Sequence, residues 1–354
     1  MGNEVLLHVS DNGVATLTLN RPQALNSLTY EMIVTIGEAL RVWEDDDQVR
    51  MIVMKGAGTK GLCAGGDIKA LYEARSSHRA LKEAECFFEA EYQVDQLMYA
   101  FPKPIIAILD GIVMGGGVGL TYGARYRIVT EQTKWAMPEM NIGFFPDVGA
   151  AYFLNKAPGI TGLYLALTAS VIQAADVLYI HGAEYYMSSE KLSAFLNELE
   201  TMELDGTQVE SALQQLINKH SESAPEQGEL AAIQHQIDEC FSLGTMEEII
   251  GHLDSTDNEF ARKIKEILLS KSPSSLKITL KQIADGKRKS IEECFATDLI
   301  LAKNFLRHPD FFEGVRSVLI DKDRNPRYTY QELSSFSAEL VDEFFRERTD
   351  EDRE

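Results

Sequence analysis

The chain has 354 residues, 45% apolar and 25% charged, which fits a folded globular protein and excludes a fibrous or disordered one. Lys and Arg total 34 against 55 Asp and Glu, a net charge of −21, so neither nucleic acid nor an anionic membrane is expected as the main partner. Any phosphorylated ligand must then be met by a local basic patch or by backbone N–H groups.

The first residues, "MGNEVLLHVSDNG", lack the basic and apolar regions of a signal peptide and do not fit a myristoylation pattern. No apolar run approaches the roughly 18 residues of a membrane span. A cytoplasmic location is the expectation. Val5–Val9 and Val14–Leu19 alternate as strands do, and the Asn-Gly of "SDNG" between them predicts a hairpin. "TYEMIVTIGEALRVWEDD" repeats its apolar residues at helical spacing, with Thr29 placed to cap it. "RMIVMKG" and "PIIAILDG" are continuous apolar runs, as strands buried on both faces are, and "YRIVTE" is a third strand. A helical stretch is expected from about Ile68 to Tyr99. The alternation of strand and helix predicts an α/β protein with crossover connections.

Beyond about residue 160 the strand signal fades. "ITGLYLALTA", "SSEKLSAFLNELE" and most of 247–306 read as helices. Between Thr201 and Phe260 there are 13 acidic residues and one basic residue, Lys219, and "HSESAPEQGEL" reads as a linker or exposed loop. The expected organisation is an α/β core over 1–200, an acidic insertion or linker with helices over 201–260, and a helical region over 261–354. The four cysteines form no CxxC and the seven histidines no HxxxH, which argues for a reduced compartment and no metal site.

Two loops can present backbone donors. "LCAGGDIKAL" follows "RMIVMKG" after a short connection. Its Gly65 and Gly66 let a ligand approach the backbone, and Asp67 is placed to cap a helix. "DGIVMGGGVGL" repeats the arrangement, with Gly115–Gly117 opening a helix. Two such loops after neighbouring strands can aim two N–H groups at one developing oxyanion. Neither is a phosphate loop, since the chain has no GxxxxGK[ST] and "GGGVG" is not GxGxxG. Downstream, "MPEMNIGFFPDVGA" carries Glu139 and Asp147 into a segment that otherwise reads as core. Taken alone, a capping role for Glu139 and a turn role for Asp147 are the simpler readings. Cys63, beside the first loop, has no histidine nearby in sequence and reads as a packing residue. Trp43 and Trp135 read as core.

With "AGGDI", "GGGVGL", "MPE" and "FPDVG", the chain resembles the crotonase superfamily, and within it the 3-hydroxyisobutyryl-CoA hydrolase branch. The likeness continues through "LNRPQALNSLT", "FFEAEY", "SPSSLKITL" and "DFFEGVRSVLIDKD". It implies the crotonase (ClpP-like) fold, a spiral of ββα units with a C-terminal helical region completing an acyl-CoA pocket. It implies Gly66 and Gly116 as the oxyanion donors to a thioester carbonyl, with Ala64, Gly65, Asp67 and Gly115 around the substrate. Hydratases of the superfamily carry one Glu two positions after the glycine triple and another in "PE". Here the first position is Gly119 and the second is Glu139, which disfavours addition of water across a double bond. Glu139 and Asp147 match the catalytic carboxylates of the hydrolase branch, and Glu91 matches a substrate-contacting acid. Ala150 replaces the glycine that usually follows "FPDVG".

The resemblance therefore implies hydrolysis of 3-hydroxyisobutyryl-CoA, and of 3-hydroxypropionyl-CoA as a further substrate, in valine breakdown. Coenzyme A belongs to the substrate, and no cofactor or metal is implied. A homo-oligomer fits the superfamily's habit of trimers and hexamers. Lys277, Lys281, Lys287, Arg288, Lys289, Arg21 and Lys55 are the candidate cations for the CoA phosphates. The competing expectations are an enoyl-CoA hydratase or isomerase, and a silent acyl-CoA-binding protein that kept the fold.

Overall fold

The described residues of the computed structural model, 3–203, 209–224 and 228–347, carry nine strands in two sheets. They are β1 (Val5–Val9), β2 (Val14–Leu19), β3 (Met51–Gly56), β4 (Gly61–Cys63), β5 (Ile105–Leu109), β6 (Ile112–Met114), β7 (Tyr126–Val129), β8 (Lys134–Ala136) and β9 (Tyr185–Tyr186). The larger sheet runs β1-β2-β3-β5-β7-β9 and the smaller β4-β6-β8. Only the β1–β2 hairpin is antiparallel; every other pairing is parallel.

The topology follows from a repeated step. In each of the pairs β3/β4, β5/β6 and β7/β8, the first strand joins the larger sheet and the second the smaller. This is the ββα spiral of the crotonase fold. The sequence reading found the first member of each pair and missed β4, β6 and β8. Those strands are three residues long, too short for a periodic signal to rise above the turns around them.

Four helices bear on the loops that follow: α1 (Tyr30–Asp45), α2 (Ile68–Tyr72), α3 (His78–Ala100) and α4 (Gly116–Tyr122). Thr29 caps α1 as expected, accepting from Met32 N at 3.2 Å. The helix expected from Ile68 to Tyr99 is broken instead. A 3-10 turn at Glu73–Ser76 follows α2, and Ser77 is extended, its hydroxyl accepting from Ala80 N at 3.1 Å to start α3. A serine that satisfies a free N–H is worth about 1 kcal/mol at a helix start, which favours the restart over continuation.

The chain forms two compact units, each drawn from three segments: Met1–Gly66, Gln93–Ala136 and Val171–Ala231, and then Asp67–Tyr92, Met137–Ser170 and Ala232–Glu354. The divisions fall elsewhere than residues 200 and 260. In the first unit, Met51, Val53, Ile106, Ile108 and Ile128 of the larger sheet share a core with Phe195, Leu199, Leu213 and Ile217. The last two lie on the helix Val209–His220, so part of the acidic segment 201–260 supplies core to this sheet. Of "HSESAPEQGEL", His220 and Leu230 are buried, while 225–227 lie outside the described residues.

The second unit is helical around a cluster of phenylalanines. Phe144 lies with ring centroids 5.6 Å from Phe88, 4.6 Å from Phe145, 5.2 Å from Phe305 and 5.3 Å from Phe311. Each fully buried ring of this kind contributes roughly 1.5–3 kcal/mol. The cluster anchors the segment 139–149.

Candidate active site

In the first unit, β4 and β6 are neighbours, so the loops at their C-terminal ends lie side by side. Gly65 has φ +98°, and a Cβ on it would meet Met114 O at 3.2 Å and Gly116 N at 3.4 Å. Only a glycine lets the two loop backbones come this close. Gly117 is similarly constrained, since a Cβ there would lie 2.7 Å from Cys63 O. Neither Gly66 N–H nor Gly116 N–H donates to an acceptor among the described residues. Gly115 N–H, by contrast, donates to Ala136 O at 3.1 Å.

The motif "LNRPQALNSLT" braces the first loop. Leu25 and Asn26 adopt left-handed conformations, with φ 53° and 56°. Leu28 N donates to Gly65 O at 2.9 Å, and Ala64 N donates to Leu25 O at 3.1 Å. The buried Asn26 amide donates to Ala57 O and Gly61 O, both at 3.0 Å. Cys63 is buried and takes the Gly65 N–H on its sulfur at 3.4 Å, in keeping with a packing role.

In the second unit, Glu139 opens a 3-10 turn, Glu139–Ile142, closed by Gly143 at φ +64°. A Cβ on Gly143 would meet Asp310 O at 2.4 Å. Asp310 is fully buried and saturated, with Ser272 Oγ at 2.6 Å, Ser274 Oγ at 3.1 Å and Thr329 N at 2.7 Å. The motifs "SPSSLKITL" and "DFFEGVRSVLIDKD" thus meet at Asp310 and support the turn that carries Glu139. Glu139 is 7% exposed and Asp147 5%. Glu139 Oε2 is buried without a hydrogen-bond partner among the described residues. Asp147 Oδ2 accepts the Tyr92 hydroxyl at 2.6 Å.

Burial disfavours the charged form of both acids. It pushes Asp147 up to about 6, while the Tyr92 hydrogen bond pulls the other way. It holds Glu139 well above the usual carboxylate range, and the Asp147 charge adds to this. The pair therefore sheds its protons in two linked steps, Asp147 first. Burial and the Asp147 charge also raise Tyr92 well above 10, so the phenol stays a donor. Such a pair can orient a water and take its proton near neutral pH.

Asp67 stands before α2, but its side chain makes no capping bond, so the expected cap is corrected. Glu91 is buried on α3 beside Tyr92. Ala150 is fully buried and opens α5 (Ala150–Phe153). Among the candidate cations, several are engaged within the protein. Lys277 is held by Glu247 and Phe336 O, Lys281 pairs with Asp285 and Asp342, Lys289 donates to Thr297, and Arg21 pairs with Glu4. The side chains of Lys55, Lys287 and Arg288 make no hydrogen bond or ion pair among the described residues. Trp43 and Trp135 are buried, as expected.

Sequence reasoning missed Tyr92, Gln282 and Asp298, which surround Asp147. Asp298 accepts Gly149 N–H at 2.8 Å, and Gln282 donates to Pro146 O at 2.9 Å. Burial raises Asp298 to about 8, against the Gly149 hydrogen bond and together with the Asp147 charge. The available signal was an acid inside the apolar run "ECFATDLILAKNF", the same anomaly that marks Glu139 and Asp147.

Residues 14–345 match the family model described as enoyl-CoA hydratase/isomerase. A protein of Danio rerio described as "3-hydroxyisobutyryl-CoA hydrolase, mitochondrial" is 40% identical over 348 residues, covering 97% of this chain and 90% of the relative. The Homo sapiens protein of the same description is 38% identical, covering 97% and 88%. Among solved structures, a carnitinyl-CoA dehydratase from Mycobacterium thermoresistibile superposes with TM-score 0.90 at 36% identity, covering 99% of this chain and 98% of that one. An enoyl-CoA hydratase from Rhodobacter sphaeroides 2.4.1 gives 0.87 at 32%, covering 97% of each.

Proposed function

The chain belongs to the enoyl-CoA hydratase/isomerase family, and from that premise we propose that it is an acyl-CoA thioester hydrolase acting on 3-hydroxyisobutyryl-CoA. 3-Hydroxypropionyl-CoA is its second substrate, and valine breakdown its setting. The observation that carries this reading is the buried acid pair, Glu139 and Asp147, in a chain whose Gly119 stands where the superfamily's hydratases bring a glutamate. The full-length likeness to 3-hydroxyisobutyryl-CoA hydrolases supports the substrate.

In this reading the N–H groups of Gly66 and Gly116 receive the thioester carbonyl oxygen as it becomes an oxyanion. Each such donor is worth roughly 10²–10³ in kcat. Asp147 ionises first, and its charge makes the Glu139 carboxylate a stronger base. Glu139 takes a proton from water as the oxygen bonds to the acyl carbon, or attacks that carbon itself to give a mixed anhydride that water then opens. The tetrahedral centre collapses, the C–S bond breaks and CoA leaves as a thiolate, with a thiol pKa near ~8.5 that needs little acid help. Ala64, Gly65, Asp67, Gly115 and Glu91 contact the substrate. No metal or redox cofactor takes part.

Purified protein with 3-hydroxyisobutyryl-CoA is expected to release free thiol. Glu139→Gln is expected to lower kcat/KM at least about 100-fold with the fold retained by circular dichroism. Wild-type-like turnover in that variant would remove Glu139 from the chemistry. A second reading, hydration of an enoyl-CoA, draws on the neighbours described as hydratase and dehydratase. Loss of crotonyl-CoA absorbance without thiol release would favour it.

No helix among the described residues is long and apolar enough to cross a membrane. A cytoplasmic location is our proposal, and the vertebrate relatives are described as mitochondrial, so cell fractionation decides between the two. A homo-oligomer is proposed alongside, read by light scattering.

A further inference from the structure

Asp147 sits in a backbone shape that needs outside support. The next residue, Val148, has φ +51°, and Gly149 has φ +80°. A β-branched residue in the left-handed region is an outlier that costs on the order of 1–3 kcal/mol and persists only where its surroundings hold it.

Two buried side chains supply that hold. Gln282, 2% exposed on the helix Pro273–Gly286, donates Nε2–H both to Pro146 O at 2.9 Å and to Asp298 Oδ1 at 2.8 Å. Asp298, fully buried on the helix Ile291–Phe305, accepts Gly149 N–H on Oδ2 at 2.8 Å. One bonded pair thus grips the carbonyl just before Asp147 and the amide two residues after it. Tyr92, from α3, fixes Oδ2 of the carboxyl itself. The orientation of the Gln282 amide follows from its two acceptors, since a flipped amide would face both with an oxygen. A plain packing residue of the same volume would leave Pro146 O and the turn unsupported.

We propose that Gln282 and Asp298 are positioning residues that clamp the left-handed turn and so aim the Asp147 carboxylate. The kinetic consequence rests on the thioesterase reading; the clamp itself does not. Several charged or titratable groups share the neighbourhood. Lys289, Glu293 and Cys294 bear on Asp298 or on its near neighbours, Tyr92 and Glu91 come from α3, and the Asp147 charge raises Glu139. The charge on Asp147 helps raise Asp298, so Asp147 ionises first and the later ionisation of Asp298 takes place beside an already charged carboxylate.

The test has two arms. In the first, wild-type protein labelled with γ-¹³C aspartate is titrated by NMR. The Asp147 signal is expected to show a second inflection at the Asp298 midpoint. In Asp298→Asn that second inflection should vanish while the Asp147 midpoint near 6 stays within about half a unit, because Asp298 is still protonated when Asp147 ionises. In the second arm, thiol release is followed in Asp298→Asn and in Gln282→Leu, which keeps the volume and loses the donor. Both should lose roughly 10- to 100-fold in kcat per folded protein with KM within about 3-fold, the mark of a misaimed carboxylate and not of lost binding. The clamp is overturned if the Asp147 titration shows no inflection at the Asp298 midpoint in the wild type. It is also overturned if folded Gln282→Leu keeps the wild-type kcat and pH profile. Were the wild type to release no thiol at all, the thioesterase reading would fall, and the NMR arm would still decide the clamp.

Discussion

Replacing Tyr92 with phenylalanine isolates one hydrogen bond. The ring keeps its place between Phe88, at 5.8 Å, and Phe295, at 5.9 Å, so the fold has no reason to change. What is lost is the hydroxyl that donates to Asp147 Oδ2 at 2.6 Å. A hydrogen bond to a charged acceptor is worth about 1.5–3 kcal/mol, and 1.36 kcal/mol corresponds to one pKa unit, so Asp147 should rise by roughly 1–2 units. It starts at about 6, which places it near ~7–8 in the variant. Because the proposed mechanism needs Asp147 ionised in either form, the acid side of the kcat/KM profile should move up with it. Thiol release measured between pH 5 and 9 would show a loss of about tenfold or more at pH 6 that is largely recovered at pH 9. A midpoint displaced by less than ~0.3 unit would refute the reasoning, since the phenol would then contribute nothing to the ionised carboxyl.

Gly116→Pro removes the N–H of the first residue of α4 at a helix position that tolerates proline. A fall of about 10²–10³ in kcat, with circular dichroism unchanged, is expected for loss of an oxyanion donor, and an unaltered kcat would exclude that amide. Asp298 also makes stability depend on pH. Its folded-state pKa is raised from 3.8 to about 8, so its contribution is fully present below about pH 3.8 and is lost as pH rises through about 8. Urea unfolding should therefore show Asp298→Asn gaining on the wild type between pH 4 and 8, by up to roughly 5 kcal/mol, and parallel curves would contradict the assignment. Exhaustive dialysis against a chelator should leave thiol release within about twofold of its starting rate, whereas a large loss reversed by a divalent cation would bring a metal into the chemistry.

Much of this arrangement was legible because it is local. The Asn-Gly hairpin, the Thr29 cap, the buried strands and the two glycine loops each announce themselves within a dozen residues. Glu139 and Asp147 were visible as acids in an apolar segment, and the family motifs gave them a role. The missing pieces are those set by distance in the chain. β4, β6 and β8 exist only because each pairs with a strand about 20 or more residues away, and three residues carry no periodicity of their own. Tyr92, Gln282 and Asp298 are recruited to Asp147 from three different helices, so no spacing rule links them. The acidic segment was read as an insertion or linker with helices, and what its charge did not disclose is that the helix Val209–His220 turns Leu213, Leu216 and Ile217 into the core of the larger sheet.

The alternating delivery of strands to two sheets has a consequence for how this protein can change. The donors proposed at Gly66 and Gly116 are main-chain atoms, so no substitution other than proline deletes them. What keeps them abreast is the pairing of Gly61 with Ile112 and of Cys63 with Val113. The ladder, and not any side chain, sets the spacing of these two amides, so the side chains around them can be exchanged without moving the proposed donors.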